Sequence, residues 1–510
     1  MINSVTTPNI TQKNNIPKPS KVKTSIFYIN DLHGQNIRME KLISAANQFD
    51  RFESSKNVDK MKFASGDIML GEDEKHVKVG DKFLNMAGFL ANVLGNHECD
   101  MPTEQIVPLI KDKKYKLLGL NLRPEINNPM HEIIEKSYIQ EINGNKYGII
   151  GLVPPDLAKH VKLQDHLKPL NIETDFDKSI PEIQKEIDNL KAKGINKIII
   201  LSHSGYRQDV KLAKTLNDVD IILGAHTHTL LEGIEKDKNL FFSKTGEPIV
   251  ITQAGRDGKN FGRLDVEFDE DGVITKVQNN IGNTDIYPRN LIAKNEFEKI
   301  LGKPEIVGTI KYAEKYPEDA YGKENPHCDF ICDALRNELN TDLGVMNSAN
   351  IRGQFAQGDI DTRDLALISP FANKVVVVKA SEEEIVNAIK GRVAASMKSN
   401  SHRPGIVQVS GLKYTFTKDG NLTSMKFIDK NGAEEAIDIN NPRKDKFYTL
   451  AADDYCVASK DNGLGLEHRL NEALQKYDFD KDVILARYIK HLNKPVEIKS
   501  DGRITVQENN

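Results

Sequence analysis

The sequence has no tryptophan, little cysteine, no long hydrophobic run and no marked excess of charge of either sign. The cysteines are too few for a disulfide framework in a 510-residue chain, and they are Cys99, Cys328, Cys332 and Cys456. Nothing resembles the run of about 18 apolar residues that crosses a bilayer, so we expect no membrane span. Because 70 lysines and arginines stand against 74 aspartates and glutamates, the net charge of −4 argues against binding to a nucleic-acid duplex or a membrane surface.

Two of the cysteines, Cys328 and Cys332, are one helical turn apart. They could bind a metal ion together, or they could be two small core residues on one face of a helix, which is the more common arrangement. Both interpretations are open at the level of the sequence.

The first residues of the chain, 1–23, are rich in Asn, Thr, Pro and Lys. They contain no apolar core of the kind that a secretory signal peptide needs. We therefore predict a disordered leader with no readable export address, which taken alone favours the cytoplasm.

From Ser25 onward, short apolar runs alternate with longer polar stretches of helical character. Residues typical of buried strands make up the runs SIFYIN, MKFAS, FLANVL, KYGIIGLV, NKIIILS and DVDIIL. This alternation predicts an α/β fold with a layered domain over residues 24–280. The polar, proline-containing segment 281–305 is predicted to be a linker or hinge, and residues 306–506 are predicted to form a second, smaller domain that mixes helices and strands.

Polar side chains cluster directly after most of these strands, where open α/β sheets place their ligands. Each cluster alone is a weak signal, since a Gly-Asp pair is usually a turn and a single histidine is usually a hydrogen-bonded structural residue. Together they are expected at the same edge of one sheet, where they supply the nitrogen and oxygen ligands Asp31, His33, Asp67, Asn96, His203, His226 and His228. This set is too large for one tetrahedral zinc and suits two divalent ions about 3.5–4 Å apart, such as Mn, Zn, Fe, Ni or Co.

The order of the motifs, D-x-H, G-D, G-N-H-E, H and G-x-H-x-H, resembles that of the calcineurin-like metallophosphoesterases. The segment GNHECD, residues 95–100, resembles the GNHExD motif of the 5′-nucleotidase family within that group. The resemblance implies a layered α/β metallophosphoesterase sandwich. One ion would be held by Asp31, His33, Asp67 and His228, and the other by Asp67, Asn96, His203 and His226, so that Asp67 is shared. His97 would be the catalytic histidine that contacts the phosphoryl group, and Asp100 would orient its ring.

Segments of the second domain also resemble motifs of this family, namely NSANIR (347–352), SPFAN (369–373), QVSGLKY (408–414) and residues 448–461. The resemblance implies a C-terminal α/β domain that recognises the nucleotide. Phe371 and Tyr455 would sandwich the base, because two aromatic faces clamp any flat base. Asn373 and Asp461 would bind the base and ribose, and Arg352 would meet the phosphate side. The implied set is completed by Asn347 and by Lys323, where many relatives have an arginine.

The function implied by the resemblance is that of a dinuclear-metal phosphomonoesterase which converts nucleoside 5′-monophosphates to nucleoside and phosphate. A 2′,3′-cyclic nucleotide 2′-phosphodiesterase with 3′-nucleotidase activity, or a UDP-sugar hydrolase, would share the same ligands and stays an alternative. A catalytically silent nucleotide-binding protein is an alternative of another class, which loss of a ligand or of His97 would mark, and neither is lost. The expected partner is a small nucleotide. Since most relatives are exported, the cellular location stays open, as does the oligomeric state.

Overall fold

The computed structural model divides the chain into two compact units, Met1–Gly302 and Lys303–Asn510. It describes residues 21–51, 57–70, 73–161, 165–317, 319–371, 373–398 and 404–508. The predicted leader, 1–23, lies outside the described residues except for its last three. The predicted end of the leader, residue 23, lies inside the first strand. This strand begins at Val22, which pairs with Phe268 of another strand.

The first unit alternates strands and helices along most of its length. Its described strands are β1 (Val22–Ile29), β2 (Val58–Ala64), β3 (Ala91–Val93), β4 (Lys116–Leu118), β5 (Ile134–Glu135), β6 (Ser137–Ile142), β7 (Asn145–Leu152), β8 (Ile198–Ser202), β9 (Ile221–Leu223), β10 (Leu240–Phe242), β11 (Pro248–Thr252), β12 (Asn260–Phe268) and β13 (Ile274–Asn283). Its described α-helices are α1 (Asn36–Arg51), α2 (Glu74–Ala87), α3 (Thr103–Leu109), α4 (Leu157–His160), α5 (Phe176–Ala192), α6 (Tyr206–Thr215) and α7 (Leu291–Leu301). Short 3₁₀ turns cover His97–Cys99, Pro129–Glu132, Asp165–Leu170 and Thr284–Ile286.

The strands of the first unit form two sheets among the described residues. The first has the order β13-β12-β1-β2-β3-β4-β5, and the second has the order β10-β11-β9-β8-β7-β6. The strands from β1 to β5 run parallel to one another, as do β7, β8, β9 and β11, whereas β12, β6 and β10 are antiparallel to their neighbours β1, β7 and β11. Both sheets therefore present a row of strand carboxyl ends, followed by loops.

The two sheets pack face to face, and helices cover the outside of the second sheet. Ile199 and Leu201 of β8 belong to the same buried cluster as the strands of the first sheet, whereas Ile198 and Ile200 pack with α5 and α6. Because both faces of β8 are buried, its sequence is continuously apolar instead of alternating. This confirms the layered α/β architecture that the sequence predicts for this unit.

The expectation of a single sheet is wrong, although the runs predicted to be strands are β1, β2, β3, β7, β8 and β9. β1, β2 and β3 lie in the first sheet, and β7, β8 and β9 lie in the second. An apolar run shows that a strand is buried on both faces, but not which neighbour it pairs with, so the sequence did not separate one sheet from two.

The segment 281–305, predicted to be a linker, is mostly folded onto the first unit. It contains the end of β13, a 3₁₀ turn and α7, whose Phe297 is fully buried in the core of that unit. Arg289 donates a hydrogen bond to Glu40 of α1 at 2.5 Å. The units divide after Gly302, so the predicted linker shortens to the few residues before β14 (Ile306–Ala313). The polar composition of this segment reflects the exposed side of α7.

The second unit also mixes strands and helices. Its remaining described strands are β15 (Leu343–Asn347), β16 (Gly358–Asp361), β17 (Val375–Ser381), β18 (Val407–Ser410), β19 (Leu412–Thr417), β20 (Leu422–Ile428), β21 (Glu434–Ile437), β22 (Phe447–Asp453), β23 (Gln475–Lys476), β24 (Val496–Ile498) and β25 (Ile504–Gln507). Its described helices are α8 (Pro326–Glu338), α9 (Thr362–Ile368), α10 (Glu382–Lys398), α11 (Asp454–Ala458), α12 (Glu467–Asn471) and α13 (Lys481–Leu492), with a 3₁₀ turn at Ser348–Asn350.

These strands form a central sheet and two smaller ones among the described residues. The central sheet has the order β18-β15-β22-β17-β23, and the others are β16-β14-β24 and β21-β20-β19-β25. Cys328 and Cys332 lie on α8, fully buried among apolar side chains such as Ile331 and Leu335. Neither belongs to any group of potential metal ligands found among the described residues, which favours the core interpretation. None of the helices in the described ranges has the length and apolar character needed to cross a membrane.

Candidate functional site

The predicted metal ligands of the first unit come from both sheets and meet at the carboxyl ends of their strands. The first sheet supplies Asp31, His33, Asp67 and Asn96, and the second supplies His203, His226 and His228. Most of them are buried, which is unusual for so many polar side chains in one place. The concentration of buried carboxylates and imidazoles at one edge identifies this region as the candidate site.

Many of these residues adopt a backbone conformation that is rare without glycine. The left-handed φ angles are 52° at Asp31, 50° at His33, 53° at Asp67, 74° at His226 and 57° at His228. Main-chain hydrogen bonds hold this conformation in place. The Asp31 N–H donates to the Gly66 carbonyl at 3.0 Å, and the His33 N–H donates to the Asp67 carbonyl at 2.9 Å. Backbone strain of this kind collects at functional sites, where it aims side chains at a common point.

Asp31 and Asp67 lie at the centre of the cluster, each surrounded by histidines. Potential metal-binding atoms of Asp31, His33 and His228 lie within 4.8 Å of one another, and so do those of Asp31, Asp67 and His203. The Nε2 atom of His228 is 3.5 Å from Asp31 Oδ1, and that of His203 is 3.3 Å from Asp67 Oδ2. The Nε2 atom of His33 is 3.7 Å from Asp67 Oδ2.

Asn96 and His226 extend the cluster on one side. The Nδ1 atom of His226 lies 3.2 Å from Asn96 Oδ1, and its ring lies 5.1 Å from that of His203. The His226 N–H donates to both oxygens of Asp31, at 3.0 and 3.2 Å. All seven predicted ligands are thus brought together through contacts between neighbouring members.

The donor set fits divalent cations. The Nδ1 atom of His33 is 2.9 Å from Asp257 Oδ1, and that of His203 is 2.6 Å from the Ser65 carbonyl, so each ring turns Nε2 toward the carboxylates. Such support on the far nitrogen is typical of metal-binding histidines. The Nε2 atom of His203 is buried and makes no well-formed hydrogen bond among the described residues, although it faces both carboxylates.

The protonation of the cluster also indicates that it fits a divalent cation. Burial lowers the pKa of His203, but the charges of Asp67 and Asp31 outweigh burial and raise it to about 10. Burial raises the pKa of Asp67, but the nearby His203 and His97 outweigh it and hold this pKa well below its usual range. The protein alone therefore balances its buried carboxylates with a proton on His203. A divalent cation would replace that proton, as happens when metals bind histidine ligands.

His97 lies next to this cluster and is paired with Asp100. Its Nδ1 atom is 2.8 Å from Asp100 Oδ2, and its main-chain N–H donates to Asp67 Oδ1 at 2.9 Å. The ring of His97 packs edge-on against that of His33, with centroids 5.4 Å apart. A histidine held by a carboxylate in this way has its tautomer fixed and its cationic form stabilised.

Glu98 is a buried residue of the site to which the sequence interpretation gave no role, although it lies inside the motif. Its carboxylate accepts hydrogen bonds from the N–H groups of Asp67, Ile68 and Gly95, each at 2.8 Å. Burial, together with the charge of Asp67, raises the pKa of Glu98 to about 7. Glu98 therefore ties the loop after β2 to the loop after β3.

Three further polar residues of the site were also missed. Asp257, which holds His33, belongs to the Gly- and Asp-rich tract after β11 and has a φ of 58°. Asp156 and His160 follow β7 and form a group of potential metal ligands with His226. Burial raises the pKa of Asp156, but hydrogen bonds from His160 and His226 outweigh it and hold this pKa well below its usual range. A short carboxylate-containing segment after a strand was the available signal in each case.

The residues predicted to bind substrate in the second unit are partly in contact. The Arg352 guanidinium lies over the Phe371 ring, 5.2 Å from its centroid, and donates to the Tyr321 hydroxyl at 3.5 Å. Asn347 donates to the Asn462 carbonyl, and the Asn462 side chain donates to the Tyr455 hydroxyl at 3.3 Å.

The other predicted substrate-binding residues differ in exposure. Asp461 is exposed, and its carbonyl accepts a hydrogen bond from Arg392. Asn373 is buried and Lys323 is exposed. The described contacts thus join Arg352 with Phe371, and Asn347 with Tyr455 through Asn462.

Two family models match the chain. The model described as calcineurin-like phosphoesterase matches residues 24–230, and the model described as 5′-nucleotidase, C-terminal domain, matches residues 306–466. The first range contains all the predicted metal ligands together with His97 and Asp100, and the second contains all the predicted substrate-binding residues.

Similar proteins align with most of the chain. The trifunctional nucleotide phosphoesterase protein YfkN of Bacillus subtilis is 26% identical over 96% of this chain, which spans only 35% of that protein's length. The 5′-nucleotidase of Mus musculus is 26% identical, with 83% of this chain and 77% of the mouse protein covered. Among solved structures, a 5′-nucleotidase precursor from Thermus thermophilus shares the fold with a TM-score of 0.71 at 21% identity, over 95% of this chain and 99% of that one.

Proposed function

Since the chain belongs to the 5′-nucleotidase family, in which a calcineurin-like phosphoesterase domain precedes a 5′-nucleotidase C-terminal domain, and is a hydrolase of phosphoric esters, we propose that it releases phosphate from nucleoside 5′-monophosphates. The observation that supports this most strongly is the joint presence of a buried carboxylate and imidazole cluster and the His97–Asp100 pair beside it. The retained ligands and His97 also argue against a catalytically silent protein.

Members of this family use divalent metals, and we propose that this chain holds two. Asp31, His33, Asp67 and His228 would hold one ion, and Asp67, Asn96, His203 and His226 the other. Bound divalent ions supply Lewis acidity, which activates water and offsets the charge of a phosphate. The protein holds the ligand atoms in place through Asp257, Ser65 and Glu98, so that little reorganisation accompanies the reaction.

His97 would stabilise charge on the phosphoryl group as the ester bond breaks. Asp100 accepts the Nδ1 proton of His97, which leaves Nε2 directed away from the carboxylate. The His97 side chain is 16% exposed and that of Asp100 only 5%, so the imidazole lies nearer to solvent than its partner. This is the placement expected of a group that meets a substrate while a buried carboxylate orients it.

The second unit would recognise the nucleoside. Phe371 and Tyr455 are half-buried aromatic side chains, each with a polar side chain beside it. The Arg352 guanidinium lies over the Phe371 ring, 5.2 Å from its centroid, so the residue proposed for the phosphate and one proposed for the base are adjacent. We propose that Asn373 and Asp461 bind the base and ribose and that Arg352 interacts with the phosphate, as in the family.

A broader substrate range is the second candidate. The relative from Bacillus subtilis is named a trifunctional nucleotide phosphoesterase, so one such protein is credited with more than one reaction. Cyclic 2′,3′-nucleotides, 3′-nucleotides and UDP-sugars are the alternative substrates that the same ligand set could accept.

A phosphate-release panel separates these candidates. The protein would be assayed with AMP, 3′-AMP, cyclic 2′,3′-AMP, ATP and UDP-glucose in the presence of Mn²⁺, Co²⁺ or Zn²⁺. Hydrolysis of cyclic 2′,3′-AMP gives an adenosine monophosphate, and hydrolysis of the diphosphate bond of UDP-glucose gives UMP and glucose 1-phosphate. Nucleotide and nucleoside products would therefore also be measured by chromatography. We expect the highest kcat/KM with AMP. A preference for another substrate would replace the proposed one, and no hydrolysis of any substrate would support the silent alternative.

The shared carboxylate is tested by the variant Asp67→Asn. We expect it to lose turnover and the ability to bind two ions together, because one carboxylate oxygen is replaced by a poorly coordinating amide nitrogen. Metal content would be measured by elemental analysis after dialysis. Asp265→Asn is the matched control, since Asp265 is a half-exposed carboxylate of β12 that bonds to Ser25. Two tightly bound ions and a near-normal rate in Asp67→Asn would contradict the dinuclear assignment.

A further inference from the structure

The loop after β7 places a carboxylate and a histidine beside the cluster without being part of the predicted ligand set. β7 pairs in parallel with β8, so its carboxyl end lies next to the strand that leads to His203. The chain continues through Val153, Pro154 and Pro155 to Asp156, and α4 then ends at His160. Two prolines in succession restrict the backbone just before Asp156, which limits the positions that its side chain can take.

Asp156 lies between two histidines. Its Oδ1 atom is 3.4 Å from Nε2 of His226, and its Oδ2 atom is 3.1 Å from Nε2 of His160. The rings of His160 and His226 meet edge-on, with centroids 5.0 Å apart. Each oxygen of the carboxylate therefore faces a different imidazole.

The two nitrogens of His226 face different surroundings. Nδ1 lies 3.2 Å from Asn96 Oδ1, on the side of the other proposed ligands. Nε2 lies on the opposite side of the ring and faces Asp156. A neutral imidazole that binds a cation through Nδ1 must carry its proton on Nε2, where a carboxylate is the strongest acceptor.

We propose that Asp156 is a positioning residue for His226, which fixes its tautomer and ring orientation and so strengthens the binding of one metal ion. His160 supports Asp156 by donating to its second oxygen. The main chain of His226 is already anchored to Asp31, so the ring rotation is what remains for Asp156 to fix. This inference rests on the proposed metal site, and it assigns a role to residues outside the predicted ligand set.

The inference is tested by the metal affinity of Asp156→Asn and Asp156→Ala, measured with Mn²⁺ and Co²⁺ by competition with a chelator. We expect one of the two dissociation constants to rise about 10–100-fold in Asp156→Ala and the other to stay near its wild-type value. Asp156→Asn should have a smaller effect, because its amide oxygen can still accept the proton of Nε2. The kcat of Asp156→Ala, taken as a fraction of the wild-type kcat, should be higher at saturating metal than at limiting metal.

The visible spectrum of the Co²⁺-loaded protein gives a readout that is independent of activity. A positioning role predicts altered ligand-field bands in Asp156→Ala and nearly unchanged bands in Asp156→Asn. Glu338→Gln is the matched control, because Glu338 also pairs with a histidine, His491 at 2.8 Å, on the other unit. This control should leave both the affinities and the spectrum unchanged.

Three outcomes would overturn the inference. Unchanged affinities and spectrum in both Asp156 variants would show that the carboxylate does not act on His226. Equal weakening of both ions, or loss of the circular-dichroism signal, would indicate a general structural role. A third ion in the wild-type protein that disappears in Asp156→Ala would make Asp156 a ligand. Failure of the proposed function appears differently, as a wild-type protein that hydrolyses no phosphoester, and the affinity measurement stays informative in that case.

Discussion

Asp31, His33, Asp67, His226 and His228 combine a rare backbone conformation with a buried polar side chain. A left-handed φ costs a non-glycine residue roughly 1–2 kcal/mol, and burial of a polar group adds to this unless it is hydrogen-bonded. Here the cost is offset by hydrogen bonds within the site, such as those from the Asp67 and Gly95 N–H groups to Glu98. The hydrogen bonds of the fold therefore hold the proposed ligand atoms in place without help from an ion.

A substitution of His97 tests whether this residue acts in catalysis or binds metal. We expect His97→Ala to retain both ions and to lower kcat by about 10²–10⁴, since it removes a positioned donor that acts mainly in the transition state. KM should change little for the same reason. Steady-state kinetics with AMP and metal analysis would be run on the same preparation. A variant that loses metal would instead identify His97 as a ligand.

Gly95 is required by the close approach of two loops. A Cβ atom at this position would lie 2.1 Å from Asp67 Oδ1 and 2.6 Å from the Asp67 main-chain nitrogen. We therefore expect Gly95→Ala to displace Asp67, to reduce metal binding and to lower AMP hydrolysis by at least about 100-fold, the scale typical for loss of one transition-state donor. Metal content and kcat would both be measured.

Gly391→Ala is the matched control for that substitution. Gly391 lies in α10, and a Cβ atom there would meet nothing within 4 Å. This variant should keep full activity and gain about 0.5–1 kcal/mol of stability, because alanine favours a helix over glycine. Normal activity in Gly95→Ala would mean that the two loops can separate without harm to the site.

At the same scale, the recognised sequence motifs predicted the site residues that directly follow strands. They did not predict the residues that support those side chains. Asp257 and Asp156 act through contacts with residues more than 60 positions away, and the short carboxylate-containing segments in which they lie do not show which distant residue each one contacts. Glu98 lay within a motif, yet its role depends on three N–H groups that only the folded loops bring together.

At the scale of elements, strands were predictable and their partners were not. The continuously apolar runs of β7 and β8 follow from burial on both faces, so their type was evident. The division into two sheets depends on whether β1 pairs with a strand of the β7, β8 and β9 group or with another strand. It pairs with β12, which is more than 200 residues away in the sequence. The helix α7 was missed because its apolar residues do not mark its buried face: Leu291 and Ile292 are each 70% exposed, whereas Ala293 and Phe297 are buried.

The start of α8 contains a buried histidine whose protonation should affect stability. His327 donates from Nε2 to the Glu314 carbonyl at 3.0 Å and accepts the Phe355 N–H at Nδ1, so its folded form is neutral. Burial lowers its pKa from 6.5 to about 4. The unfolded chain thus binds a proton that the folded chain does not, and stability should fall as the pH drops from 6.5 toward 4. The loss corresponds to about 3 kcal/mol, at about 1.4 kcal/mol per pH unit.

This pH dependence would be measured from urea midpoints followed by circular dichroism at pH 7.5 and pH 4.5. His327→Gln should be less stable at pH 7.5 and should show a smaller decrease toward pH 4.5 than the wild type. His491→Gln is the control, since His491 is exposed and lies on α13 of the same unit. An unchanged pH dependence in His327→Gln would show that other groups cause the acid destabilisation.

At the scale of the whole molecule, the chain divides its proposed tasks between two compact units. All the predicted metal ligands and the His97–Asp100 pair belong to Met1–Gly302, and all the predicted substrate-binding residues belong to Lys303–Asn510. The sequence predicted two domains because the strand-end motifs stop well before residue 281 and a new set of motifs begins after residue 306. The position of the boundary was less accurate, since a helix that packs on the first unit has the composition of a linker.

This division predicts that substrate selection and hydrolysis can be separated by mutation. Phe371→Ala or Tyr455→Ala would remove one face of the proposed base clamp and should raise KM for AMP by about 10-fold or more, from roughly 1–3 kcal/mol of stacking per base. Hydrolysis of p-nitrophenyl phosphate, which has no base, should change much less, because the proposed metal ligands and His97 belong to the first unit and both variants keep Arg352. Both substrates would be assayed with each variant at the same metal concentration.

Tyr312→Ala is the matched control, because Tyr312 is an exposed aromatic residue of β14 that packs against Lys499 and has no predicted role in binding. It should leave KM unchanged for both substrates. If the Phe371 and Tyr455 variants slowed both substrates equally, the two rings would be packing residues of the second unit. The preference for nucleotides over simple phosphate esters would then have to come from Asn373 or Asp461, and substitution of those side chains would be the measurement that decides it.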